Sequence, residues 1–231
     1  MNTNANSSQP KHSYPLKIAL RAQRLIQASL FYGAFVDTAV GKYVRVTPNA
    51  DEKVKKVLLE GGWTDVAWET GWSCFEEYMN EFQHPVFQFA LYSIIIHWDW
   101  YISRLGKFVD FAESHVAPRK HRDKKLSALS FKPVREQIDV LQITMETKFS
   151  FNIDILDLVE EMNLVRNLGM HNEWEVDETY LKWTKNKTWK IGQQRTFEIT
   201  ELTNWHSAII QLINVISLET AIRYTKVPKY D

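Results

Sequence analysis

From Leu16 to about Val40, apolar residues recur at three- and four-residue spacing (Leu16, Ile18, Leu20, Leu25, Ile26, Leu30, Phe31, Phe35, Val36). That pattern predicts a long helix with a wide apolar face. A shorter, charged helix is expected over 51–60, stopped by Gly61-Gly62. The stretch 63–82 crowds Trp63, Trp68, Trp72, Phe75, Tyr78 and Phe82 into what reads as a short packed helix. Pro85 can open the next helix, which runs to about Val116 before Pro118 ends it. Further helices are predicted from Pro133 to about Lys148 and from about Asn152 to Met170. Residues 179–184 and 188–199 read as a small β-hairpin around Asn186-Lys187, and Thr200 can cap a last helix to about Thr225. The expectation is one all-α domain over 16–231, with a hairpin inserted before its final helix and a flexible tail at 1–15.

Composition narrows the function classes. The 231 residues carry 28 Lys+Arg against 28 Asp+Glu, so attraction of the whole surface to nucleic acid or membrane is excluded and only a local patch could supply it. The polar stretch 1–15 has no apolar centre and does not read as a signal peptide. The most apolar run, Phe89–Trp98, is about half of the roughly 20 residues a membrane span requires, so it is expected to be a buried helix of a soluble protein. The lone Cys74 excludes a disulfide framework and a multi-Cys zinc site, and it fits a reducing, cytoplasmic setting.

Candidate chemistry concentrates at 160–171, GluGluMetAsnLeuValArgAsnLeuGlyMetHis, where Arg166-Asn167 is followed after three residues by His171. RNA carries its own nucleophile, the 2′-OH, so a ribonuclease can work without a metal. It needs a group that holds or releases a proton near neutrality and a cation facing the phosphate as charge develops. His171 suits the first role and Arg166, with its permanent charge and planar fork, the second. The Asn167 amide can orient Arg166, the phosphate or the ribose. On a regular helix five residues turn through about 500°, which leaves Arg166 and His171 about 140° apart. Gly169 between them permits the last turn to open and the helix to end there. Pairing two copies of the motif across a twofold axis is the other route to one cleft.

The Arg166-Asn167…His171 string, at the end of an amphipathic helix in an all-α chain, resembles the Arg-x(4–6)-His motif of the HEPN superfamily. The following segment, HisAsnGluTrpGluValAspGluThrTyrLeu (171–181), is similar to the segment that follows the motif in many of its members. The resemblance implies a HEPN-like helical bundle over about 85–225, with 16–82 as an N-terminal helical extension. It implies a metal-independent endoribonuclease working as a homodimer, with Arg166, Asn167 and His171 at the site. Cleavage by 2′-OH attack would leave 2′,3′-cyclic phosphate and 5′-OH ends, with no cofactor and no metal. Members serve in toxin–antitoxin, abortive-infection and CRISPR-linked systems, so an antitoxin or other regulatory protein is an implied partner. Other members are inactive and act as RNA-binding or protein-interaction modules. An upstream acid that holds the Arg is familiar in the family. Here Glu160 and Glu161 stand six and five positions before Arg166, and position 162, the usual one, is Met. Residue 173 is Glu where toxins paired with nucleotidyltransferase antitoxins have Tyr.

Two basic segments are candidate RNA contacts. One, 118–135, holds Arg119, Lys120, Arg122, Lys124, Lys125, Lys132 and Arg135 against the single acid Asp123; the other holds Lys182, Lys185, Lys187, Lys190 and Arg195, with Trp183 and Trp189 interleaved and no acid over 181–197. Cations supply phosphate neutralisation and rings supply base stacking. Opposing them, 153–178 carries eight acids around Arg166. His97/Asp99 and His171/Glu175/Asp177 have metal-binding residue types without a matching second cluster, so a metal site is not expected. A core histidine at His97, a polar contact at Asp99 and a buried thiol at Cys74, which has no evident His partner, are expected instead.

Overall fold

The computed structural model describes residues 14–35, 49–62, 64–65, 85–116, 126, 128–225, 227 and 230. Among them the chain forms seven α-helices: α1 (Tyr14–Phe35), α2 (Ala50–Glu60), α3 (Pro85–Val116), α4 (Val134–Met145), α5 (Ile153–His171), α6 (Glu178–Trp183) and α7 (Ile199–Arg223). A single 3-10 turn, Leu129–Phe131, precedes α4. The all-α expectation holds. Trp63 and the aromatic residues of 66–82, the connector 118–125, Cys74 and residues 1–13 of the tail lie outside the described residues, whereas Tyr14 and Pro15, expected in the tail, already open α1.

Helix ends follow local chemistry. Gly61 and Gly62 close α2, their N–H groups donating to Val57 O and Leu59 O at 3.0 Å each, and Gly62 takes φ 96, a conformation a side chain would oppose. Pro133 precedes α4, which stops at Glu146 in the left-handed region (φ 50). Thr200 is not the cap of α7 but lies in its first turn, since the helix already begins at Ile199.

The β-hairpin does not form. Residues 178–183 are instead the short helix α6, because Asp177 sits in extended conformation before it and its Oδ1 accepts from the Tyr180 N–H at 2.6 Å. This N-cap, with Glu178 in the first turn and Lys182 in the last, outweighs the β-favouring Tyr180, Trp183 and Thr184. The second half of the expected hairpin finds a different partner: Arg195 N–H donates to Trp174 O (2.8 Å), Val176 N–H to Gln193 O (2.9 Å) and Gly192 N–H to Val176 O (2.9 Å). The pairing amounts to one isolated antiparallel bridge, Glu175 to Gln194.

The chain divides into two compact units, the first formed by Met1–Ile26, Ile95–Asn163 and Trp205–Asp231, the second by Gln27–Ile94 and Leu164–Asn204. In the first, Trp98, Tyr101, Leu105 and Val109 of α3, Leu141 of α4, Val159 of α5 and Ile213 and Ile216 of α7 are buried. Each such side chain withdrawn from water contributes roughly 1.5–3 kcal/mol. Buried polar groups are paired across helices: Trp98 Nε1 donates to Gln137 Oε1 at 3.0 Å, Tyr101 Oη meets Ser217 Oγ at 2.5 Å, and Tyr224 Oη donates to Glu113 Oε1 at 2.6 Å. Burial pushes both phenols well above their ordinary range.

In the second unit, Ser29 of α1 and Ser93 of α3 share a hydrogen bond of 2.7 Å, and a Cβ on Gly33 would lie 2.9 Å from that of Ala90, so the two helices run at close quarters. Leu168, Trp174, Val176, Tyr180 and Phe197 are buried there, with Trp174 ringed by Tyr92 and Phe197 at centroid distances of 5.8 Å each.

Candidate active site

All three motif residues lie on the last turns of α5, which remains helical through His171. Gly169 therefore does not end the helix, and the expected opening of the last turn is absent. Its reason is steric. A Cβ at 169 would stand 2.5 Å from Tyr92 Oη and 2.6 Å from Trp174 Cε2, and would meet Cζ2 as well, so only a bare Cα leaves room for the Trp174 ring. The chain then reverses through two non-glycine residues in the left-handed region, Glu173 (φ 48) and Trp174 (φ 67). The Leu168 carbonyl accepts from both Asn172 N–H (2.8 Å) and Trp174 N–H (3.1 Å), satisfying the helix end. Left-handed backbone costs each residue roughly 1–2 kcal/mol, and burial of the Trp174 indole offsets it.

Arg166 and Asn167 are half-buried and His171 is exposed. Arg166 Nη1 donates to Asn167 Oδ1 at 2.8 Å, so the amide orients the guanidinium, one of the roles anticipated for it. With α5 helical through both residues, Arg166 and His171 leave the helix axis about 140° apart. Of the upstream acids, Glu160 is engaged elsewhere: it and Asp157 both accept from Arg135 of α4. Glu161 is half-buried on α5.

Of the first basic segment, 119–125 lies outside the described residues, while Lys132 pairs with Glu136 and Arg135 with Asp157 and Glu160, so these two cations are already engaged by carboxylates. In the other, Trp183 is 64% exposed and Lys182 Nζ lies 5.1 Å from its ring centroid. Lys185, Lys187 and Lys190 are exposed, and Lys187 Nζ also donates to Leu181 O at 2.6 Å. Trp189 turns inward, half-buried, with the Arg195 guanidinium 4.6 Å from its ring centroid. Arg195 itself is buried: Nε donates to Tyr180 Oη at 3.0 Å, Nη2 to Glu201 Oε1 at 2.7 Å, and Nη1 to Thr196 O. Its charge is thus committed to the interior, and it is removed from the set of RNA-facing cations. Burial opposes the charge, but the Glu201 and Tyr180 contacts leave its pKa raised.

Among the described residues no three His, Cys, Asp or Glu side chains gather in a way that could hold a metal ion, and no helix is long and apolar enough to cross a membrane. Asp177 caps α6, and burial lowers the pKa of half-buried His97. Sequence reasoning missed two features. One is the Trp174–Tyr92 seat of Gly169. The other is a set of exposed cations on α1 and α3, whose only signal in the sequence is that α1 contains no acid. No family model, curated protein or solved structure matches the chain.

Proposed function

We propose that this chain is a HEPN-type, metal-independent endoribonuclease acting as a homodimer, with Arg166, Asn167 and His171 of each subunit at the shared site. The observation that carries the reading is the Arg166 fork, held by the Asn167 amide at 2.8 Å, on the same helix end as an exposed His171. Cleavage proceeds by attack of the 2′-oxygen on the adjacent phosphorus, with loss of the 2′ proton and rupture of the bond to the 5′-oxygen, which leaves protonated. His171 transfers the proton, and Arg166 neutralises the charge that builds on the non-bridging oxygens. The products are a 2′,3′-cyclic phosphate and a 5′-OH. Because one helix sets Arg166 and His171 about 140° apart, twofold pairing of two motif helices is the arrangement that brings an Arg and a His to one phosphate. Trp183, with Lys182, Lys185, Lys187 and Lys190, supplies a ring and charges for the strand beyond the scissile bond. In the cell this activity is that of a toxin or antiviral-defence effector held in check by a partner protein.

The same divergence of Arg166 and His171 favours a second reading, a non-catalytic HEPN-like module that binds RNA or a protein. Cleavage of mixed-sequence RNA in EDTA by wild type and His171→Ala, with end-group analysis, separates the two. The nuclease reading expects cyclic phosphate ends from wild type and a rate lower by about 10²–10⁴-fold in the variant. A substrate with 2′-deoxy at the scissile nucleotide should resist. If folded, dimeric wild type leaves RNA intact, the module reading replaces it.

A further inference from the structure

In the first unit, α1 and α3 run antiparallel in register: Tyr14 stacks on Phe108 with centroids 5.5 Å apart, and Arg21 lies over the ring of Trp100 at 5.1 Å. Arg104, one helical turn beyond Trp100 on α3, approaches the same ring at 6.0 Å. Two guanidiniums from helices some eighty residues apart in sequence therefore share one indole. Lys17 and Arg24 flank Arg21 at the −4 and +3 positions of α1, so the three occupy one face, and the antiparallel register sets Lys17 level with Arg104 and Lys107. All five cations are exposed and Trp100 is half-buried.

Among the described residues no carboxylate pairs with this charge. The 22 residues of α1 include no acid, and 100–107 include none. None of the five cations has an ion-pair partner among the described residues. The acids of α3 nearest in sequence are Asp99, about 140° around the helix from Arg104, and half-buried Asp110, which borders the face at its Lys107 end. In a chain of zero net charge such a face is a local concentration of one sign. The indole contacts, worth about 0.5–1 kcal/mol each at an exposed site, hold the guanidiniums extended and so reduce the ordering that a ligand must impose.

We infer that Lys17, Arg21, Arg24, Arg104 and Lys107, braced by Trp100, form a binding face for the phosphodiester backbone of RNA. Along α1 the cations span seven residues, about 10 Å, which suits successive phosphates better than one isolated anion. Guanidinium forks match phosphate oxygens. An anionic membrane is a poorer occupant, since the apolar side of α1 (Ile18, Ala19, Ala22, Ile26) is buried in the unit and cannot insert into lipid. The choice of RNA among polyanions rests on the nuclease reading; the face does not depend on cleavage.

The test uses the full chain carrying His171→Ala, so that cleavage does not interfere, with a fluorescein-labelled mixed-sequence RNA of roughly 20 nucleotides. Anisotropy titrations from about 50 to 300 mM salt give affinity and salt slope. Arg21→Gln with Arg104→Gln is expected to weaken binding on the order of tenfold and to reduce the slope by about 1.4, two contacts at about 0.7 each. Arg21→Lys with Arg104→Lys, which keeps the charge, should retain the slope. Lys53→Gln with Lys56→Gln, on the exposed side of α2, should leave both quantities unchanged. Absence of RNA binding, an unchanged slope in the Gln pair, or an equal loss in the α2 control each overturns the inference. Polyglutamate bound as tightly as RNA, and released by the Gln pair, would make the face an acidic-protein site instead. A wild type that binds RNA through this face yet never cleaves it overturns the nuclease reading alone.

Discussion

Arg195 and the pair Arg21/Arg104 each place a guanidinium over an indole, and they use that contact in opposite ways. Arg195 is 3% exposed, and its donors run to Glu201, Tyr180 and Thr196 while Trp189 covers its face. It fastens the 189–201 segment to α6 and to the start of α7. Arg21 and Arg104 meet Trp100 at the surface, with no carboxylate partner among the described residues. A cation beside a ring is therefore not in itself a sign of binding. What distinguishes the two cases is whether a carboxylate and burial have already neutralised the charge. The same division separates Trp189, turned inward, from Trp183, turned to solvent six residues earlier.

The largest expected effect tests the buried member. Arg195→Met should lower the unfolding free energy in urea by about 2–4 kcal/mol, since Tyr180 and Glu201 lose their partner, whereas Arg21→Met should change it by less than about 1 kcal/mol. Equal losses for the two would erase the distinction. Gly169→Ala probes the same buried region at the motif. The added methyl meets Tyr92 and Trp174, so despite a helix-propensity gain of about 1 kcal/mol a net loss of about 1–3 kcal/mol is expected. The Tyr92→Phe background, which removes the hydroxyl, should recover part of it.

The smallest effect concerns a buried imidazole. His206 of α7 is 9% exposed and its Nε2 finds no hydrogen bond among the described residues. Burial lowers its pKa below 6.5, so as pH falls through that value the unfolded chain takes up a proton that the folded chain resists. Stability present above pH 6.5 is expected to decline below it, and His206→Leu should flatten that decline in denaturation curves recorded at stepped pH. His97, whose pKa is lowered in the same direction, contributes to the same trend.

Legibility in the sequence followed the range of the interactions. Helices α1 to α5 and α7 were readable from apolar spacing, Pro85 and the Gly61-Gly62 stop, all of them local signals. Tyr180, Trp183 and Thr184 favour a strand, which is why the pattern suggests a hairpin, while the Asp177 side chain, capping from three residues before Tyr180, decides for helix. The cap is a local signal, an Asp three residues before Tyr180. The Arg166–Asn167 bond joins adjacent residues, and orienting Arg166 is one of the three roles that the sequence suggests for the Asn167 amide. By contrast, Glu160 is held by Arg135, 25 residues away, and Arg195 is held by Tyr180, 15 away, and no local pattern announces either. The α1–α3 cations belong to two helices whose charges separately resemble ordinary solvated faces. Only the fold brings them to one ring.

The seat of Gly169 also sets which spellings of the motif this chain can tolerate. Of the three spacer positions, 168 is buried and restricted to an apolar side chain, 169 admits glycine alone, and 170, 56% exposed, is open to almost any residue. The motif here is thus not Arg-Asn followed by three free letters and His, but Arg-Asn-apolar-Gly-any-His with an aromatic three positions on. A sequence that keeps Arg166, Asn167 and His171 yet carries a bulkier residue at 169 would have to build the end of α5 differently.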